Sequence, residues 1–225
     1  YCVLTLPIWL TQGIIFKRIA IRLPEAKGIS PANTINGEVL HEFIMLGDSV
    51  AAGVGVDHID NALAGAIAKK INISSNGSWE VLGQSGLKLI ELVQLLGKYS
   101  ISADHYVISI GVNDAKGFTP FKKWVENLQR LFELLTKLSP HAKIIILAVP
   151  DMAQFPLLKL PLAKVLGNRC TTLNNLTKAV TAEFVNVTFL PLEFTPKDNS
   201  FASDGFHPSS AACQEIANNI IKHIN

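Results

Sequence analysis

From residue 42 onward the chain alternates short apolar runs with amphipathic stretches, and this rhythm restricts the fold more than any other feature. Residues 43–46, 79–82, 106–110, 143–149 and 187–190 read as strands. The fourth run, Lys143 to Val149 (KIIILAV), is apolar on both faces, as the central strands of a parallel sheet are. Helical spacing is expected over 60–71, where Leu63, Ile67 and Ile71 share a face, and again over 87–97 and 161–184. It is clearest over 120–138, where Phe121, Trp124, Val125, Leu128, Leu131, Phe132, Leu135 and Leu138 form one apolar stripe behind Pro120. A last helix follows Pro208, with Ile216, Ile220 and Ile224 facing inward. Five strands alternating with helices predict an α/β fold, a three-layer α/β/α sandwich around a five-stranded parallel sheet. No internal repeat or linker divides the chain, so 225 residues give one domain over 41–225 preceded by an arm, 1–40.

Composition excludes several classes of function. The net charge of +2 is too small for a nucleic-acid footprint. With 48% hydrophobic and 17% charged residues there is ample apolar material to bury, so disorder is excluded. Cys2, Cys170 and Cys213 form no CxxC pair, which excludes a disulfide framework or a cysteine-rich zinc site and fits a reducing compartment. The arm opens with YCVLTLPIWLTQGIIF, nearly uncharged, followed by Lys17, Arg18 and Arg22. Sixteen residues fall short of the ~20 of a spanning helix, and Pro7 interrupts them. Two readings stand. The segment is either the trailing half of a membrane anchor or an apolar arm packed on the domain. The basic cluster places the domain on the cytoplasmic side, at the inner membrane under the first reading.

The polar residues that follow the strands are specific. After the first strand comes Gly47-Asp48-Ser49, with Gly53 beyond it, and after the second comes Gly83-Gln84-Ser85-Gly86. Gly111-Val112-Asn113-Asp114 follows the third, and Asp204-Gly205-Phe206-His207-Pro208 the fifth. Each alone is ordinary turn or cap chemistry. Together, at the carboxyl edge where such sheets bind ligands, they supply a hydroxyl, an imidazole, a carboxylate, a side-chain amide and backbone N–H groups. That is the inventory for nucleophilic acyl transfer.

The segments resemble the sequence blocks of the SGNH hydrolases, the GDSL esterase/lipase superfamily. Gly47 to Gly53 is similar to GDSxxxG, with Val50 at the fourth position. Gly111 to Asp114 is similar to GxND, and Asp204 to Pro208 to DxxHP. Gly86 is placed as the glycine of the loose second block, whose usual neighbouring Asn is replaced here by Leu82-Gly83. The resemblance covers about 42–224 and implies a flavodoxin-like SGNH hydrolase fold. It implies Ser49 as nucleophile, His207 as general base and acid, and Asp204 as the group that orients it. The implied oxyanion hole is the N–H of Ser49, the N–H of Gly86 and the side chain of Asn113. Asp48 is expected to hold the turn, Asp114 has no assigned role, and Pro208 is expected to begin the closing helix. The Leu23-Pro24-Glu25 stretch and the Phe155-Pro156 loop are similar to one bacterial subgroup.

The reading that follows is a serine esterase acting on a small-molecule or lipid acyl ester through an acyl-enzyme, without cofactor or metal. The apolar segment after the fourth strand, with Met152, Phe155 and Leu157, is either an acyl pocket or plain core. A small-acyl carbohydrate esterase and a catalytically silent ligand-binding module on the same fold are the alternatives. Near misses are set aside. Gly83-Gln84-Ser85-Gly86-Leu87 lacks the last glycine of G-x-S-x-G, which makes Ser85 a decoy. His41-Glu42 does not continue to HExxH, and His58, His105, His141 and His223 read as surface residues. The substrate, the acyl length and the oligomeric state stay open.

Overall fold

The computed structural model describes residues 5–28, 40–71, 79–192, 197 and 199–224, with the backbone alone at 40–42. Residues 1–4, including Cys2, and 29–39 of the arm lie outside them. The elements in chain order are α1 (Leu6–Ile19), β1 (Leu40–Gly47), α2 (Leu63–Lys70), β2 (Trp79–Gly83), α3 (Leu89–Leu96), β3 (Ser102–Ser109), α4 (Val112–Lys116), α5 (Phe121–Leu138), β4 (Lys143–Leu147), α6 (Leu162–Thr181), β5 (Val187–Leu190) and α7 (Ser210–Ile224).

All five strands pair in parallel in the order β2-β1-β3-β4-β5. The order reverses at β1, so the loops leaving β1 and β3 diverge and open a crevice at the carboxyl edge, the switch point of a doubly wound sheet. Strand alternation splits the core in two. Ile44, Leu46, Tyr106, Ile108, Ile144 and Ile146 face the layer of α3, α5 and α6. Phe43, Met45, Val107, Ile145 and Leu147 face the layer of α2 and α7. The three inner strands β1, β3 and β4 therefore need apolar residues at consecutive positions, which is why they contain continuous apolar runs. Helix α5 buries Trp124, Leu128, Leu131, Phe132 and Leu135 on one stripe.

Several expectations are corrected. The helix expected over 60–71 begins only at Leu63, because residues 59–61 form a separate turn capped by His58 and Ala62 is extended. Pro208 does not begin α7, which starts at Ser210; it bridges to Phe201 instead and closes the 200–209 loop. Two helices were not foreseen. Helix α4 has five residues, too few to show periodicity. Helix α1 has Pro7 in its first turn, where a proline starts a helix and does not interrupt it.

Helix α1 lies against the domain. Trp9 stacks on Phe118 at 5.4 Å, and Phe16 packs on Phe206 at 5.8 Å. The Gln12 amide donates to the Leu160 carbonyl (2.7 Å) and accepts from the Leu162 N–H (3.1 Å). Among the described residues no helix is long and apolar enough to cross a membrane.

Candidate active site

Two glycines bring the strand-end loops close together. A Cβ on Gly47, at φ +150°, would stand 1.9 Å from the Ser109 carbonyl oxygen of the neighbouring strand. A Cβ on Gly111, at φ +125°, would meet Val149 at 2.5 Å and Trp124 at 2.9 Å. A side chain at Gly47 would push the Ser49 loop off β3, and one at Gly111 would push the Asn113 loop off Val149 and Trp124.

Ser49 follows β1 on a turn closed by the Ala52 N–H donating to Asp48 and the Val54 N–H donating to Ser49. Its Oγ lies 3.0 Å from Nε2 of His207, whose Nδ1 lies 2.5 Å from Oδ2 of Asp204. The other oxygen of Asp204 accepts the backbone N–H groups of Phe206 and His207, both at 3.0 Å. One carboxylate thus shapes the loop and orients the ring that the loop carries. Burial pushes the Asp204 carboxyl up, but the hydrogen bonds from the His207 ring and from the two N–H groups outweigh it and hold it below the usual carboxylate range.

Asn113 stands in the first turn of α4. Its side-chain amide donates to the Leu87 carbonyl (3.0 Å) and lies 3.5 Å from Oδ2 of Asp48. It therefore joins the loops after β1, β2 and β3. The short bond is the one to Leu87; the contact to Asp48 is at the long limit of a hydrogen bond. The N–H groups of Ser49 and Gly86 donate to no described residue, and the left-handed Gly86 (φ +89°) is exposed beside them.

Asp48 and Asp114 form the support. Oδ1 of Asp48 accepts the Val50 N–H at 3.2 Å, which holds the turn on which Ser49 sits. Burial pushes the Asp48 carboxyl up to about 7, against the Val50 hydrogen bond and the positive charge of Lys116. Asp114 is fully buried, accepting from the Leu89 N–H (2.9 Å) and the Thr119 hydroxyl (2.8 Å). It ties the start of α3 to α4, and with them the loops of Gly86 and Asn113. Ser85 is exposed, and its N–H donates to the Glu25 carboxylate at 2.7 Å, so the arm also braces this loop.

The profile of the GDSL-like Lipase/Acylhydrolase family matches residues 45–214. The chain belongs to that family. No curated protein sequence matches it significantly. Among solved structures it is similar to a lipase from goat rumen metagenome, with TM-score 0.66, 15% identity, 81% of this chain and 96% of the other covered. It is also similar to a family 2 carbohydrate esterase with a carbohydrate-binding domain from Corynascus thermopiles (TM-score 0.67, 18% identity, 87% and 67% covered). A third is a family 3 carbohydrate esterase from Clostridium thermocellum (TM-score 0.59, 15% identity, 82% and 94% covered). At these identities the likeness is one of fold.

Two cavities flank the Ser49–His207 pair in this GDSL-family chain. One, of about 80 Å³, is lined by Val50, Ile110, Val149, Phe155, Phe201 and Phe206 as well as the pair itself, and is almost wholly apolar. The other, of about 410 Å³, is bounded by Ser85, Gly86, Lys116, Leu157 and His207, and by the arm at Phe16 and Ala20 to Leu23. Of the three residues singled out after β4, Phe155 lines the apolar cavity and Leu157 the wider one. Met152 lines neither: it begins the 152–154 turn, is fully buried and belongs to the core under α6.

Sequence reasoning missed Lys116, which borders the wider cavity with its ammonium 4.9 Å from the centre of the Phe206 ring. Burial lowers its pKa, against the opposing charge of Asp48. The available signal was its place three residues after Asn113, one helical turn on. Among the described residues no group of His, Cys, Asp or Glu side chains could hold a metal ion.

Proposed function

We propose that this acylhydrolase is a serine carboxylic-ester hydrolase in which Ser49, His207 and Asp204 act as a triad. The reading rests above all on the continuous chain from Ser49 Oγ to His207 Nε2 and from His207 Nδ1 to Asp204. Ser49 Oγ attacks the ester carbonyl carbon as His207 Nε2 takes its proton. The carbonyl π pair moves onto oxygen, and the N–H groups of Ser49 and Gly86 with the Asn113 amide receive that charge. Collapse of the tetrahedral adduct expels the alkoxide, which takes the proton back from His207 and leaves as alcohol. A water then repeats the sequence on the acyl-enzyme, releasing the carboxylic acid and restoring Ser49. Asp204, held ionised, keeps the imidazole in the tautomer that presents Nε2 as base and stabilises the imidazolium between the two proton transfers.

The apolar cavity supports an aliphatic acyl group. A volume of about 80 Å³, at roughly 10–15 Å³ per water-sized group, holds about five to eight such groups. The rival, an acetyl esterase acting on carbohydrate, has the carbohydrate esterases among the fold neighbours in its favour. A p-nitrophenyl ester series from two to sixteen carbons separates them. Here kcat/KM should peak at roughly five to eight carbons, the capacity of the cavity. A maximum at acetate with steady decline favours the rival, and no hydrolysis at any length contradicts both.

A further inference from the structure

Helix α1 has apolar residues on both of its sides. Thr5, Trp9, Gln12, Gly13, Phe16 and Ala20, spaced by three and four, are its half-buried positions, and the docking contacts of Trp9, Gln12 and Phe16 lie among them. The rest of its circumference is exposed and carries Leu6, Ile8, Leu10, Ile14, Ile15 and Ile19, Ile8 at 54% and Ile19 at 65%, together with Pro7, Thr11, Lys17 and Arg18. Not one residue of this helix is buried. An apolar face of this size open to water is a cost that soluble surfaces ordinarily avoid. Ile21 and Leu160 continue it, Leu160 at 69% exposure beside the Gln12 contact.

Charge indicates what covers it. Residues 5–24 hold Lys17, Arg18 and Arg22 and no carboxylate, and the first acid, Glu25, is engaged by the Ser85 N–H. A two-fold pairing through this helix would set the same residues against it from the second copy, and those residues offer the cations no carboxylate. An anionic lipid surface satisfies both features, taking isoleucine and leucine side chains below the headgroups while the cations meet phosphate. The inner side of the helix is fastened to the domain through Trp9, Gln12 and Phe16, so the helix lies along the surface of the domain. Its fit is to lie in the interface.

We propose that the outer face of α1 seats this protein on the surface of an anionic membrane. The same arm walls the wider cavity at Phe16, Ala20, Ile21, Arg22 and Leu23. Docking by this face therefore brings the cavity mouth next to the lipid headgroups, where an amphiphilic ester would be presented. The proposal stands apart from the catalytic reading, because it concerns where the molecule sits.

The test is co-sedimentation of the full chain with phosphatidylcholine vesicles, with and without about one-third phosphatidylglycerol, at low and high salt. The protein should partition onto the anionic vesicles and come off as salt rises. The triple variant Ile8→Ser, Ile14→Ser, Ile15→Ser should lose at least tenfold in partitioning, and Lys17→Glu with Arg18→Glu should lose the preference for phosphatidylglycerol. Both should hydrolyse a soluble p-nitrophenyl ester at the parent rate, which shows that they fold. Failure to bind either vesicle overturns the proposal, as does undiminished binding by the triple variant. A dimer in solution that the triple variant abolishes, without vesicle binding, would assign the face to a second copy and also overturn it. Loss of ester hydrolysis in the parent chain would bear on the catalytic reading alone.

Discussion

The loops at the carboxyl edge of the sheet and the arm that packs beside them are built on opposite terms. In the loops, Asp48, Asn113, Asp114 and Asp204 each have named partners, and two glycines admit an approach that no Cβ would survive. In the arm, α1 is held by two ring contacts and one glutamine and turns its aliphatic side chains outward. Dense hydrogen bonding to the side chains fixes a geometry to the precision that chemistry needs, and a few edge contacts fix only a position. Changes in the loops should therefore alter turnover, and changes on the outer face of α1 should leave it intact.

The largest break in that comparison is expected at Asn113. Its proposed oxyanion contact exists only as the carbonyl becomes tetrahedral, so its loss should appear in kcat and hardly in KM. Asn113→Ala should lower kcat by ~10²–10³, or about 2.7–4 kcal/mol. Asn113→Asp should be at least as damaging, since a carboxylate repels the developing charge. If Asn113 only ties Leu87 to α4, the alanine variant would instead melt earlier and keep nearly full kcat in the folded fraction. A melt beside steady-state kinetics distinguishes the two.

A smaller effect, on stability, is expected at Asp48. Its folded-state pKa is raised from 3.8 to about 7 by burial, so the fold prefers the neutral acid while the unfolded chain ionises near the ordinary value. The native state then holds more protons than the unfolded state between those values, and stability falls as pH rises through that window. Asp48→Asn removes this dependence and keeps an oxygen for the Val50 N–H. The melting temperature of the variant minus that of the parent should grow from pH 4 to 7 and level off above, by several degrees in all. Asp204 acts with the opposite sign: its contribution is present above the ordinary carboxylate pKa and fades as pH falls through its lowered value. It is common to both proteins and cancels. A difference that stays flat with pH would contradict the burial account. The smallest effect belongs to the arm, where the triple serine variant should leave kcat for a soluble ester unchanged.

What could be read from the sequence follows the same division. A strand buried on both faces announces itself as an apolar run, so β4 could be placed before the fold was known, and α5 shows its stripe because eighteen residues cover five turns. Ser49, Asn113, Asp204 and His207 stand in blocks whose spacing is set by single turns, and single turns are local. What escaped depends on distant neighbours. Asp114 bonds to Leu89, twenty-five positions back, and Glu25 to Ser85, sixty positions on; neither pairing leaves a trace in spacing. Pro7 was ambiguous for a physical reason, because the same ring that breaks a helix interior starts a first turn. Met152 was apolar in an apolar segment, and only packing separates a cavity wall from core.

The central claim, that Ser49 is the nucleophile on which the acyl group rides, is tested most directly by covalent capture. The full chain is treated with a fluorophosphonate, which phosphonylates a serine hydroxyl activated by a neighbouring base, and the labelled peptide is identified by mass spectrometry. The account predicts one adduct per chain, on Ser49, absent from Ser49→Ala, with ester turnover lost in step with labelling. An adduct on Ser85 or elsewhere, or a Ser49→Ala protein that still labels and still hydrolyses esters, would contradict it.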